Sequence, residues 1–247
     1  MPHTVIHLAV ADRTYEMLGS SVIKNAPLFF SGNLAPDAIH ARKGYQRADK
    51  KRTHLCEGGI SLYGFGYPEK SDLFNQRLSL FIDEYCNTHS EYRDLYLGYA
   101  AHLLTDEIYS LEVCKSLEEH LKCSGTELHG AELRKNIVDN IDNIKEYDDF
   151  FTNYHDTINS MIPGYPFKQN IVDVLEAVWD YEVPNYVTAD EINRSKRWVI
   201  NRYSSRILSD MAIACKPYRK RSFRPLIEFV DLAANSIILR LNLALQQ

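Results

Sequence analysis

Apolar residues recur every three or four positions along most of the chain, a spacing typical of amphipathic helices. The longest stripe lies in the second half of the chain. Its members are Leu133, Ile137, Ile141, Ile144, Tyr147, Phe151, Tyr154, Ile158 and Met161. The pattern and the proline clusters that interrupt it predict helices over about 127–161, 167–182, 187–215 and 225–245. No segment shows a convincing strand pattern, so we expect an all-α protein.

The first half of the chain has a different pattern. A helix is predicted over 4–24, and a second is marked by Leu73, Leu78, Phe81 and Tyr85. Thr88-x-x-Glu91 resembles a capping box that opens a third helix, which runs to about 121 and is closed by glycine. The stretch 25–70 is rich in Gly, Pro and basic residues and predicts a long irregular loop. Because it contains aromatic anchors, we expect this loop to be ordered and functional.

Composition and charge narrow the class of protein. The chain has 247 residues, of which 45% are hydrophobic and 25% charged, and this balance excludes disordered and collagen-like classes. Eleven Gly and nine Pro are too few turn residues for an all-β fold. The net charge of −5 does not favour nucleic acid as a partner, although local basic patches leave that partner open.

The sequence also bears on compartment. No apolar run reaches the roughly 18 residues of a membrane span, so stable membrane insertion is not expected. The first residues lack the features of a signal peptide. Five cysteines without a CxxC pair are typical of reduced thiols, which favours a cytoplasmic location. The oligomeric state is left open.

Four short segments carry residues that bind metals in other proteins. His102 and Asp106 are four apart on a predicted helix, so their side chains share a face and can bridge one cation. His3 and His7 have the same spacing near the start of the chain. For each pair the alternative is a structural histidine, satisfied by a hydrogen bond or packed in the core.

Two further candidates lie between these pairs. Asp37 follows Pro36 in a turn that contains Gly32, and its alternative role is to cap a short helix. His54 ends a basic segment, where it is alternatively a surface histidine among cations.

Taken in order, these segments resemble the zinc-dependent phospholipase C family, whose metal constellation is shared by fungal single-strand-specific nucleases. The matching segments are His3/His7, Gly32-x-x-Ala35-Pro36-Asp37, His54 and Gly98-Tyr99-x-x-His102-x-x-x-Asp106. The resemblance covers about residues 1–115. It implies an all-α fold that holds a cluster of zinc ions and hydrolyses phosphate esters.

The resemblance also implies roles for individual residues. Asp37, His54, His102 and Asp106 are similar to the ligands of one zinc ion. Asp106 resembles the carboxylate that bridges to a second zinc, and His7 resembles a ligand of that second ion. In secreted members the N-terminal residue completes this site. By its spacing alone, His3 is our candidate for that place.

The match fails at the family's third zinc. Glu112 stands where the family tends to have His, and the remaining candidates, His120, His129 and Glu132, are loosely spaced. We therefore expect two zinc ions (Zn2+), with Mn2+ or Fe as an alternative at one site, since carboxylate ligands favour harder ions.

A basic segment lies between Asp37 and His54. It holds six cations within eleven residues, and we expect four of them to bind substrate phosphate: Lys43, Lys50, Lys51 and Arg52. The alternative is a solvated charged loop. A second basic cluster at 216–224 is interpreted mainly as a solvated connection.

These features together predict one domain over 1–247, with a metal-bearing part at 1–115 and a helical scaffold at 116–247. The expected function is hydrolysis of a small anionic phosphate ester by a dinuclear zinc centre and an activated water, in which Asp37 is the catalytic candidate. The alternative is a non-catalytic helical metal-binding or interaction protein that retains the ligands.

Overall fold

The computed structural model describes residues 3–58, 68–88, 90–140, 143–161, 165–204 and 226–245. The described residues form the α-helices α1 (Thr4–Val22), α2 (Ala26–Ala38), α3 (Arg47–Thr53), α4 (Pro68–Phe81), α5 (Arg93–Cys123), α6 (Gly130–Asn140), α7 (Lys145–Met161), α8 (Ile171–Glu176), α9 (Ala189–Ser204) and α10 (Leu226–Leu245). Among the described residues, β pairing is limited to one isolated bridge between Val183 and Val187. The all-α prediction is therefore confirmed.

Helix α5 is the central element of the molecule. It is 31 residues long, and every residue from Asp94 to Ser110 is buried. A helix that is buried on all sides must be surrounded by other elements. Helices α1, α2 and α10 pack on it, together with a π-helical turn (Ile82–Asn87) that continues α4.

The prediction of an irregular loop over 25–70 is wrong for the residues of this segment that the structure describes. Residues Ala26–Ala38 form α2, Ile39–Ala41 form a 3-10 turn, and Arg47–Thr53 form α3. The Asn25 side chain caps α2 by accepting a hydrogen bond from the backbone N–H of Leu28. Residues 59–67 of the predicted loop lie outside the described residues.

The glycine that suggested a loop has a packing role within a helix. A Cβ atom at Gly32 would overlap the carbonyl oxygen of Leu95 on α5, and one at Gly98 would overlap the carbonyl oxygen of Phe29 on α2. The two glycines therefore allow the backbones of α2 and α5 to approach closely. Helix α2 tolerates the low helix propensity of Gly and Pro because almost all of it is buried against its neighbours.

Three other predicted boundaries differ from the structure. The helix predicted over 167–182 is limited to α8 (Ile171–Glu176). The helix predicted over 127–161 is divided into α6 and α7, at a run of Asn and Asp residues that compete for backbone hydrogen bonds. The expected capping box at Thr88 does not open the third helix, and the Thr88 hydroxyl donates to the Asp83 carbonyl at 3.2 Å. Helix α5 begins at Arg93 after a short 3-10 turn (Ser90–Tyr92), and its N-cap Tyr92 makes no side-chain capping hydrogen bond.

The remaining helices surround the pair formed by α2 and α5. Helix α9 packs on α2, and α10 packs on α1, where Arg13 and Asp231 form an ion pair at 2.7 Å. Buried side chains from α1 to α10 belong to one continuous apolar core. Among the described helices, none combines the length and the apolar character that a bilayer span requires. The basic cluster at 216–224 lies outside the described residues.

The close contact at Gly98 predicts a large cost for a single methyl group. Gly98→Ala should lower the free energy of unfolding by at least about 3 kcal/mol, because the added Cβ would force α2 away from α5. Urea denaturation measures this change. The control is Gly44→Ala, where the space is open and only the positive φ of 77° costs about 1–2 kcal/mol. Equal losses for the two variants would contradict the packing role.

Candidate metal centre

Helix α5 supplies one pair of candidate ligands. His102 and Asp106 are one turn apart and face the same side, with 3.5 Å between His102 Nε2 and Asp106 Oδ2. Both side chains are almost fully buried. The four-residue spacing in the sequence is thus realised as a direct approach of imidazole and carboxylate.

Three other elements bring further candidates to the same place. His7 comes from α1, Asp37 from the end of α2, and His54 from the residue that follows α3. His7 Nε2 lies 3.3 Å from Asp106 Oδ1, and His54 Nε2 lies 3.4 Å from Asp37 Oδ1. We call His7, Asp37, His54, His102 and Asp106 the His/Asp cluster.

The orientation of His54 is fixed by the end of α3. Its Nδ1 lies 3.0 Å from the Lys50 carbonyl and 2.9 Å from the Thr53 hydroxyl. The Tyr99 hydroxyl, one turn before His102 on α5, donates to the Thr53 carbonyl at 2.5 Å. A carbonyl oxygen can only accept, so Nδ1 is the protonated nitrogen and Nε2 is left for the cluster.

His102 is oriented in the same way by α2. Its Nδ1 lies 2.8 Å from the backbone carbonyl of Asn33 and donates to it. In the neutral imidazole, Nε2 then carries a lone pair that faces Asp106. Metal-binding histidines are generally held by such a hydrogen bond on the other ring nitrogen.

The cluster leaves several buried polar atoms without a hydrogen bond. They are Nε2 of His7, His54 and His102, Nδ1 of His7, and both carboxylate oxygens of Asp106. A buried polar atom without a partner costs about 1–3 kcal/mol. A cation placed among the Nε2 and carboxylate atoms would satisfy them together. This convergence of acceptor atoms fits a metal ion.

Three residues of the cluster, His54, His102 and Asp106, offer ligand atoms that all lie within 4.8 Å of one another. Four ligand atoms that each lie about 2.0–2.1 Å from the ion are separated from one another by about 3.3–3.4 Å. His54 Nε2 is 3.4 Å from both Asp37 Oδ1 and Asp106 Oδ2. His102 Nε2 is 3.5 Å from Asp106 Oδ2 and 4.0 Å from Asp37 Oδ2. Asp37 lies beside this group but is not part of it, so the assignment of all four residues to one zinc stays a prediction.

Asp106 faces histidines with both of its oxygens. Oδ1 approaches His7, whereas Oδ2 approaches His54 and His102. A carboxylate that uses its two oxygens in different directions can bridge two ions. The His7 ring also stacks on the His102 ring, with centroids 3.7 Å apart. His7, Asp37 and His102 form a second group whose ligand atoms lie within 4.8 Å of one another.

Burial controls the protonation of two of the three histidines. Burial lowers the pKa of His7 to about 4, and it also lowers the pKa of His54. Both rings are therefore neutral at pH 7, which is the form that binds a metal. Burial would lower the pKa of His102 as well, but the carboxylates of Asp106 and Asp37 outweigh it and raise this pKa.

The two carboxylates remain ionised. Burial would raise the pKa of Asp37, but His40, His54, His102 and Lys50 lower it well below its usual value. Burial would also raise the pKa of Asp106, but the neighbouring imidazoles of His7 and His102 outweigh it and lower this pKa. The cluster thus presents two negative charges and the two neutral imidazoles of His7 and His54 to a cation.

His3 is placed outside the cluster. It is the N-cap of α1, and its Nδ1 accepts a long hydrogen bond of 3.5 Å from the backbone N–H of Val5. The groups of possible ligand atoms found among the described residues do not include His3. Its role as a ligand of the second ion stays a prediction.

The candidates for a third ion are dispersed along and beyond α5. His120 is 18 residues from His102, which is about 27 Å along a helix. It contacts Glu146 and Phe150. His129 is exposed after the end of α5. Among the described residues, these candidates form no group with the geometry of a metal site.

The four cations predicted to bind phosphate have different surroundings. Lys50 Nζ lies 3.0 Å from Asp37 Oδ1, at the edge of the cluster. Lys43, Lys51 and Arg52 are exposed on the surface near α3. Their predicted contact with substrate stays a prediction.

A cavity of about 460 Å³ opens beside Asp37, between the start of α1, the end of α2 and α9. Its described lining includes two alanines and the side chains of Thr4, Asp37, His40, Arg194, Ser195 and Trp198. The three α9 residues lie far from the ligands along the chain, so the spacing of candidate residues in the sequence does not point to them. The only signal available was a Trp on the polar side of an amphipathic helix.

Comparisons with protein-family models, with curated proteins and with solved structures find no match. The resemblance to the zinc-dependent phospholipase C family stays a prediction. The geometry of the His/Asp cluster is a separate observation and does not depend on that resemblance.

The Asp106 carboxylate lies next to all three histidines of the cluster, so we predict that it is needed for metal binding. Asp106→Asn should weaken zinc binding by more than about 100-fold, because one oxygen of the isosteric amide becomes an NH₂ group that cannot bind a cation. Calorimetric titration with zinc measures this loss, with circular dichroism to confirm the fold. Glu118→Gln is the control, since this α5 carboxylate is also buried but pairs with Lys122. Unchanged zinc affinity in Asp106→Asn would contradict the site.

Proposed function

We propose that the protein is a metal-dependent hydrolase that cleaves phosphate esters at the His/Asp cluster. The observation that carries this proposal is the convergence of unpartnered imidazole nitrogens and carboxylate oxygens at the spacing of metal ligands. The cavity beside Asp37 supplies room for a substrate next to these atoms.

In this proposal Asp37, His54, His102 and Asp106 hold one zinc ion. His7 and the second oxygen of Asp106 contribute to another. When bound, a pair of divalent ions activates a water molecule and neutralises the charge of a phosphate. Mn2+ or Fe remains an alternative at one site. His3 is the candidate to complete the second site.

Asp37 is the residue best situated to act on a substrate or a water molecule. Its side chain is 17% exposed, whereas the other cluster side chains are at most 5% exposed. It faces the histidines on one side and lines the cavity on the other. Because its pKa is held well below the usual value, it is ionised at pH 7 and can accept a hydrogen bond from water.

The positive charge beside Asp37 favours an anionic substrate. Lys50 contacts the Asp37 carboxylate, and Arg194 lines the cavity beside Asp37. We propose that Lys50 moves its contact from Asp37 to a substrate phosphate oxygen, an exchange between two strong charge-assisted hydrogen bonds. The substrate class in this proposal is a small anionic phosphate ester.

A non-catalytic metal-binding or interaction protein is the second candidate. Two features of the cluster favour it: nearly all of its side chains are buried, and a structural zinc site also has four protein ligands. The two candidates differ in whether a phosphate ester gains access to the ions through Asp37. A measurement of turnover separates them.

The test is hydrolysis of bis(4-nitrophenyl) phosphate by the zinc-loaded protein. We expect zinc-dependent release of 4-nitrophenolate, with kcat/KM at least about 100-fold lower in Asp106→Asn and unchanged in Glu118→Gln. Zinc binding at the cluster without turnover of this diester or of 4-nitrophenyl phosphate would contradict the hydrolase proposal and favour the second candidate.

The role of Lys50 is tested within the same assay. Lys50→Met should raise KM more than it lowers kcat, while zinc affinity stays within about threefold of the wild-type value. Lys115→Met is the control, because Lys115 is an exposed lysine on α5. An unchanged KM in Lys50→Met would contradict the contact with substrate phosphate.

A further inference from the structure

Trp198 lines the cavity beside Asp37 and has little role in the core. It is 46% exposed, whereas α9 buries other residues, among them Ile192 and Val199, against the rest of the protein. Large aromatic side chains that are exposed in a concave site contribute strongly to ligand binding. The packing of α9 therefore does not explain why a Trp stands at this position.

Neighbouring side chains hold this wall of the cavity in place. The Arg202 guanidinium lies over the Trp198 ring, 4.3 Å from its centroid, in a cation–π contact. Arg194 donates to the Ala41 carbonyl at 3.1 Å, and this bond ties α9 to the segment after α2. Arg194 also pairs with Asp190 of the same helix. The aromatic surface is thus supported before any ligand arrives.

Another part of the cavity lining is polar and charged. Asp37 belongs to it, and His40 Nε2 lies 3.7 Å from Asp37 Oδ1. Lys50 Nζ lies 3.1 Å from the same His40 nitrogen. The cavity lining therefore combines a charged group of the cluster with an aromatic side chain, and its volume of about 460 Å³ is that of a small-molecule site.

We infer that the cavity selects phosphate esters whose alcohol carries a flat, conjugated ring, which stacks on Trp198 while the phosphate lies beside Asp37. This inference rests on the proposed function and names its substrate class. It also makes Trp198 a specificity-determining residue.

The lining argues against the two acyl chains of a phospholipid. Beside Trp198, the described lining offers the hydroxyls of Thr4 and Ser195 and the charged Arg194. Acyl chains would cover the hydroxyls of Thr4 and Ser195 without giving them hydrogen bonds, which is unfavourable. A flat ring with polar edges can stack on the indole and leave the hydroxyls and the guanidinium hydrogen-bonded.

The test compares two ligands of similar size that cannot be hydrolysed. Phenylphosphonate carries a flat ring and cyclohexylphosphonate carries a saturated one. In calorimetric titrations of the zinc-loaded protein, phenylphosphonate should bind about 2- to 10-fold more tightly, which is the range expected for aromatic stacking.

Two substitutions at one position isolate the stacking. Trp198→Leu should reduce the ratio of affinities to about 1, and Trp198→Phe should retain part of the preference. Leu239→Ala, which removes another exposed apolar side chain from α10, should leave the ratio unchanged.

The outcomes separate this inference from the proposed function. Equal affinities in the wild-type protein, or tighter binding of cyclohexylphosphonate, would overturn the inference even if esters are hydrolysed. A preference for phenylphosphonate that Trp198→Leu removes would support the site even without turnover, and the absence of turnover would then count against the hydrolase alone. Failure of both phosphonates to bind would overturn both proposals.

Discussion

The close contact of α2 and α5 at Gly32 and Gly98 is the constraint on which the His/Asp cluster depends. Asp37 lies just over one turn after Gly32, and His102 lies about one turn after Gly98, so the contact of the two backbones sets the distance between these ligands. The same contact brings the Asn33 carbonyl to His102 Nδ1. A wider separation of the helices would lose both the ligand geometry and the fixed tautomer.

The second constraint is electrostatic. Two ionised carboxylates lie beside three imidazoles, of which burial keeps two neutral. Buried charges are costly unless they are paired, and the Asp106 oxygens lie near nitrogens of His7, His54 and His102 without hydrogen-bond geometry. One divalent ion would balance the two carboxylates. A second ion would make the cluster positive and attract a phosphate, so the count of ions bears directly on the proposed chemistry.

Local spacing in the sequence predicted the parts of the structure that depend on one helix. The four-residue interval placed His102 and Asp106 on one face, and apolar periodicity located α1, α4, α9 and α10 within a few residues where they are described. The prediction failed at α2, because Gly and Pro that normally interrupt helices here serve a buried contact with a distant helix. Neither the partner of Gly32 nor its distance can be inferred from neighbouring residues.

The placement of His54 and Trp198 depends on contacts that are remote in sequence. His54 is fixed through Thr53 and Tyr99, which are 46 residues apart, and the turn after it contains Leu55 with a positive φ of 54°. Trp198 reaches the cavity because α9 packs on α2. Local patterns identify the types of ligand, but the assembly of a cluster from four elements is decided by tertiary packing.

Anomalous diffraction at the zinc absorption edge shows whether the His/Asp cluster binds metal. For crystals of the protein grown with zinc, we expect an anomalous peak surrounded by Asp37, His54, His102 and Asp106, with a second peak beside His7. Zinc bound only elsewhere, with the cluster atoms joined by hydrogen bonds to one another or to water, would contradict this expectation.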